Sequence, residues 1–91
     1  VSAIGDDDRP IFIHTVAFLE ATRDCSALEF GAFFRLMMHR HRHGSLPDSD
    51  AELAQIIGVT AKEWAAIRVN VKALLNTAHL FMRNHDPDDR P

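Results

Sequence analysis

The sequence is short of cysteine, with Cys25 the only one in 91 residues. A single thiol forms no internal disulfide and builds no cysteine-based zinc site, so a reducing, cytoplasmic setting is expected. No apolar run approaches the roughly 20 residues that a membrane helix requires. The opening VSAIGDDDRP lacks the basic start and apolar stretch of a secretory leader. There is also no glycine-rich phosphate loop, and no His and Asp accompany Cys25 as a nucleophile's partners would. Asp48 and Asp50 read as caps of a following helix rather than as a catalytic couple. A chain with no enzymatic activity, no cofactor and no small-molecule substrate is therefore expected.

A strong charge of one sign is lacking as well. The formal net charge is −3, but six of the thirteen acids lie in the two ends, as Asp6, Asp7, Asp8, Asp86, Asp88 and Asp89. Of the ten bases, only Arg9 and Arg90 lie there, so residues 10–85 carry seven acids and eight bases. A nearly neutral body lacks the basic footprint of a tight nucleic-acid binder. The division suggests an acidic arm over 1–9, one domain over 10–85 and an acidic tail over 86–91.

What is present is a core. The composition is 46% hydrophobic and 25% charged, with six Phe and one Trp, an ordinary balance for one small folded domain. Ile11-Phe12-Ile13 reads as a short strand, or as the entry to a helix through Val16-Ala17-Phe18-Leu19; a strand followed by a short helix ending near Thr22-Arg23 is favoured. Ser26 and Glu29 have the spacing of a capping box. The helix they start runs to His43, with Gly44 as its stop and Pro47 beyond. Its expected apolar stripe is Phe30, Phe33, Phe34, Met37 and His41. Gly31 within that helix suggests close approach of another backbone.

A second helix is expected over Ala51 to Ile57, ended by Gly58. Thr60 and Glu63 form another capping-box pattern, opening a third helix with Trp64, Ile67, Val71, Leu74 and Leu75 inward. Residues 79–83 alternate enough for a strand. Leu53, Ala54, Ile57, Gly58, Val59, Trp64 and Ile67 occupy the inward, small and turn positions that a helix-turn-helix requires. Any trihelical core has a similar turn, so the pattern speaks for shape before function. With a strand before and after, the expected fold is mainly α and winged-helix-like: a helix-turn-helix trihelical core with short strands at both ends.

The third helix is a poor base reader. Its outward positions are Thr60, Ala61, Lys62, Ala65, Ala66, Val69 and Asn70; only Lys62 and Asn70 are long and polar, with Arg68 and Lys72 flanking for phosphates. The run HRHRH over 39–43 contributes Arg40 and Arg42. His39 and His43 are i and i+4, a spacing that presents two imidazoles to one metal, but a site needs a third ligand. Nothing in the sequence brings His14, His79, Asp48 or Asp50 there. A solvated basic helix end, favoured by the helix dipole, is the preferred reading, with no metal. His41 falls on the apolar stripe, where a core-edge ring bonded at one nitrogen is expected.

Thr22, Ser26, Glu29, Gly31-Ala32-Phe33, Gly44, Leu46-Pro47-Asp48, Asp50, Leu53-Ala54, Gly58 and Trp64 together resemble the recurring features of the YdaU-like family, domain of unknown function 1376. The resemblance runs over about residues 11–83. It implies a winged-helix-like domain of phage or prophage type, at the front of replication or replisome-organising proteins. Cys25 stands where the family usually has leucine, and Arg40 and His41 where it often has aromatics. A short wing is expected, and the family's longer C-terminal part is not among these 91 residues, so any activity housed there is not carried over.

The resulting expectation is a winged-helix domain that binds DNA weakly, in replication initiation or regulation. Its contacts would come from Lys62, Arg68, Asn70, Lys72, Thr60, Arg40, Arg42, Arg35 and Arg83. The alternative is a protein-interaction module of the same fold, pairing with itself or with a replication protein, favoured by the alanine-rich third helix and the neutral body. The feature that decides between them is whether the helix-end arginines share a face with Lys62 and Lys72.

Overall fold

The computed structural model describes residues 10–83. The expected acidic arm and tail, and the side chain of Arg83, lie outside the described residues. Strand β1 (Phe12–Ile13) leads into helix α1 (Thr15–Thr22), followed by α2 (Ala27–His43), α3 (Asp50–Ile57) and α4 (Ala61–Thr77). A single 3-10 turn over Ala78–Leu80 then connects to strand β2 (Met82–Arg83). The fold is mainly α.

Capping chemistry sets the helix boundaries. The Ser26 hydroxyl accepts the Glu29 N–H at 3.1 Å, and the Glu29 carboxylate accepts the Ser26 N–H at 2.9 Å. Thr60 and Glu63 repeat the exchange at 3.1 and 2.8 Å. Ser49 caps α3 through the Glu52 N–H. Each such cap contributes about 1 kcal/mol by satisfying N–H groups with no partner inside the helix. Gly44 and Gly58 close α2 and α3 in the left-handed region, at φ of 86° and 88°.

Helices α2, α3 and α4 pack on one another around Phe33, Leu36, Trp64 and Val71, which are almost wholly enclosed. Leu53, Ala54 and Ile57 of α3 are buried, as are Trp64, Ile67, Val71, Leu74 and Leu75 of α4. Full burial of a Leu or Phe side chain contributes about 1.5–3 kcal/mol, so these positions dominate the fold's stability. Ala54 of α3 is small and buried in this core. The N–H groups of Gly58 and Val59 both reach back to its carbonyl, at 2.8 and 3.0 Å, completing the tight turn. Phe18 joins α1 to this core edge-on to Phe30 and Phe81, with ring centroids 5.6 and 5.4 Å away.

Several expectations are corrected. Of the stripe expected on α2, Phe33 and Met37 are buried and His41 lies at the core edge as expected, but the buried face is completed by Ala32 and Leu36 rather than by Phe30 and Phe34. Phe30 and Phe34 are half-buried at the edge, because the helix must present one face to both α3 and α4. Gly31 is exposed, and nothing lies within 4 Å of where its Cβ would stand, so no backbone approaches it. The strand expected over 79–83 is only Met82–Arg83. The 3-10 turn before it has three residues per turn, which puts Ala78 and Phe81 on the same buried side. Strand alternation would have exposed one of them.

β1 and β2 pair antiparallel with Phe12 opposite Arg83 and Ile13 opposite Met82, and the His14 N–H donates to the Phe81 carbonyl at 2.9 Å. This two-residue clasp joins the first and last elements of the described residues. Among the described residues there is no wing hairpin following α4.

Candidate functional site

Asp50, the first residue of α3, gathers three side chains from successive turns of α4. Its Oδ1 accepts the indole N–H of Trp64 at 3.0 Å, and its Oδ2 accepts from Arg68 Nη1 at 2.7 Å. Lys72 Nζ stands 3.8 Å from Oδ1. Residues 64, 68 and 72 are four apart, so their side chains rise along one side of the helix toward the start of α3. The Trp64 hydrogen bond, then the charges of Arg68 and Lys72, hold the Asp50 carboxyl below its ordinary range against the opposing effect of burial. Sequence reasoning took Asp50 for a cap and missed this role. The signal was present as a Trp-x-x-x-Arg-x-x-x-Lys spacing, but nothing in it names the acid that the three would share.

The other residues expected on a DNA face are placed individually. Asn70 Nδ2 donates to Glu29 Oε2 at 2.6 Å, tying α4 to the start of α2. The Ser26 backbone N–H, and then this amide, lower the Glu29 pKa. Arg35 Nη1 donates to the Ile57 carbonyl at 2.8 Å, capping the end of α3. Arg40 Nη2 donates to the Leu75 carbonyl at 3.2 Å. The Thr60 hydroxyl is occupied as the cap of α4. Lys62 is exposed on α4, and Arg42 is exposed on the last turn of α2.

Opposite the buried face of α4, Ala66, Val69 and Ala73 stand exposed at spacings of three and four, with Val69 75% accessible. The acids Asp48, Asp50, Glu52 and Glu63 cluster in sequence at the starts of α3 and α4. Those are the helix ends that a helix-turn-helix turns toward phosphates.

Arg40 and Lys72 do share a surface. They line a cleft of about 250 Å³ between the end of α2, the 44–49 loop and α4. Half-buried Leu46 and Pro47, buried Trp64 and Leu75, and exposed Asp48 and Asn76 also line it. The motif residues Leu46, Pro47, Asp48, Leu53 and Trp64, distant in sequence, thus meet at one place. Lys62 is ten residues before Lys72, about 15 Å along the helix, and is not part of this lining.

The His39 and His43 rings lie with centroids 4.3 Å apart at the end of α2. Among the described residues, no three His, Cys, Asp or Glu side chains come together as a metal site. Cys25 is half-buried, and its thiol pKa is raised by burial and then by Glu29 and Asp24, which favours the protonated thiol. No helix among the described residues is long and apolar enough to cross a membrane.

No curated protein and no solved structure matches the chain. Residues 11–85 do match a family described as "Protein of unknown function (DUF1376)", a span that takes in every described helix and both strands, and the chain belongs to that family.

Proposed function

We propose that this domain is a protein-interaction module, docking a second copy of itself or a replication protein of phage or prophage type. The observation that carries this reading is the internal engagement of the groups a DNA face needs. Arg35 and Arg40 are bonded to helix-end carbonyls, Asn70 to Glu29, and Arg68 and Lys72 to Asp50. A phosphate would have to compete with those partners, and the acids at the starts of α3 and α4 would oppose it. The outer face of α4 offers small apolar side chains instead. Val16 and Leu19 of α1, 71% and 61% accessible, add exposed apolar surface of the kind that contacts another chain.

A second reading, weak DNA binding, is favoured by the arrangement of α3 and α4 and by the exposure of Lys62, Arg68 and Lys72. In it, the domain is winged-helix-like with its wing reduced to the β1–β2 clasp. Arg42 and Arg83 would add phosphate contacts.

Titration of a duplex oligonucleotide with the full 91-residue chain, from about 20 to 200 mM salt, separates the readings. Sedimentation of the same samples reports self-association. The interaction reading expects no DNA binding below about 100 μM at any salt. Micromolar binding whose logarithm falls steeply with the logarithm of salt would replace it with the DNA reading.

A further inference from the structure

We infer that His39 and His43 are one half of a zinc site, completed by the same two residues of a second copy of this chain. The inference rests on the interaction reading and names what holds two copies together.

The pair is arranged for chelation. His39 and His43 stand one turn apart at the end of α2, with ring centroids 4.3 Å apart. An ion about 2.0–2.1 Å from one nitrogen of each ring is within reach of both. Among the described residues, no hydrogen bond or ion pair occupies either ring. His43 is exposed and His39 half-buried, and both line an open cleft of about 540 Å³. The rings are therefore open to an ion and to another chain.

One chain does not complete the site. Zinc in a structural site takes four ligands in a tetrahedron, and a catalytic zinc takes three from protein. Among the described residues, no third His, Cys, Asp or Glu joins the pair. In a two-fold dimer the same patch meets itself, so two imidazoles become four. Nitrogen donors suit zinc, whereas magnesium and calcium take oxygen.

The charges fit as well. Glu52 of α3 lines the same cleft as the two rings. A dimer therefore brings two Glu52 carboxylates toward an ion of two positive charges. The Arg40 guanidinium, between the histidines in sequence, is held by the Leu75 carbonyl of α4 and does not line this cleft.

The test is sedimentation of the full 91-residue chain in EDTA, in magnesium, and with one zinc per two chains. The expected result is a monomer in EDTA and in magnesium, and a dimer with zinc that EDTA reverses. Cobalt in place of zinc should give the visible absorption of a tetrahedral site. His39→Ala and His43→Ala should each abolish the dimer and that absorption, with urea midpoints in EDTA unchanged. His14→Ala, at an exposed histidine ahead of α1, should keep both. A monomer with zinc, one zinc bound per chain, or zinc-driven pairing that survives His43→Ala would overturn the inference. Equal self-association in EDTA and in zinc also overturns it, while the interaction reading stands. A chain that stays monomeric with zinc and binds DNA in the salt titration overturns both.

Discussion

The Asp50 carboxylate and the indole N–H of Trp64, 3.0 Å apart, join the first turn of α3 to the core of α4. Trp64 is 1% accessible, so its ring is a core residue whose one polar atom needs a partner at the boundary. Asp50 supplies it. The same carboxylate neutralises Arg68, and the three residues fix how α3 lies against α4.

Trp64→Phe should therefore cost about 1–3 kcal/mol, from the lost hydrogen bond and the smaller ring. Asp50→Asn keeps an acceptor for the indole and should lower the urea midpoint less than Asp50→Ala does. Equal midpoints for the two Asp50 variants would show that the hydrogen bond contributes nothing.

The pH dependence has a definite sign. Asp50 and Glu29 both have folded-state pKa values below their ordinary ones, so the unfolded chain binds protons more readily. Their contribution is fully present above the ordinary carboxylate value near 4. It is lost as pH falls through the lower folded-state values. Urea midpoints measured from pH 6 down to 2.5 should fall, and Asp50→Asn or Glu29→Gln should each flatten that fall.

Three glycines should respond differently to alanine. Gly31→Ala should stabilise by about 0.5–1 kcal/mol, since the site is helical, exposed and open. Gly44→Ala should cost about 1–2 kcal/mol, because its φ of 86° is strained for any side chain even though the space is free. Gly58→Ala should cost at least as much as Gly44→Ala. Its new Cβ would also stand 3.2 Å from Arg35 Nη1. Denaturant unfolding of the three variants checks the order.

Arg35 and Gly58 should be coupled. Arg35 reaches the Ile57 carbonyl over the bare backbone of Gly58. Arg35→Ala alone should destabilise by about 1 kcal/mol. In that background Gly58→Ala should cost less than in the wild type, with a coupling of about 0.5 kcal/mol in a double-mutant cycle. Strict additivity would mean that the guanidinium moves aside freely.

The local elements were legible because their causes are local. Ser26–Glu29 and Thr60–Glu63 satisfy backbone groups three residues away, and Gly44 and Gly58 end helices by their own freedom at positive φ. Helix α4's buried stripe follows from 3.6-residue periodicity alone. Periodicity failed on α2, where apolar residues surround more than one face. Which of Phe30, Leu36 and Phe34 is enclosed depends on where α3 and α4 lie.

The candidate surface was legible only as a set of residue types. Sequence marked Arg35, Arg40, Arg68, Asn70 and Lys72 as long, polar and outward. It could not say that each would meet a carbonyl or carboxylate 18 to 41 positions away. That correction is confined to partners: the tertiary structure shows what these groups bond to inside the fold, and what they meet outside it is a matter for titration.

By itself, then, the sequence determined the helix order, caps, turns and near-neutral body, since these rest on neighbours within a turn or on composition. Only the tertiary structure decided that Asp50 would serve Trp64, Arg68 and Lys72 at once, and that Arg40 and Lys72 would line one cleft. The reason is physical: hydrogen bonds and ion pairs act over about 3 Å, and only packing of α2, α3 and α4 brings those side chains within reach.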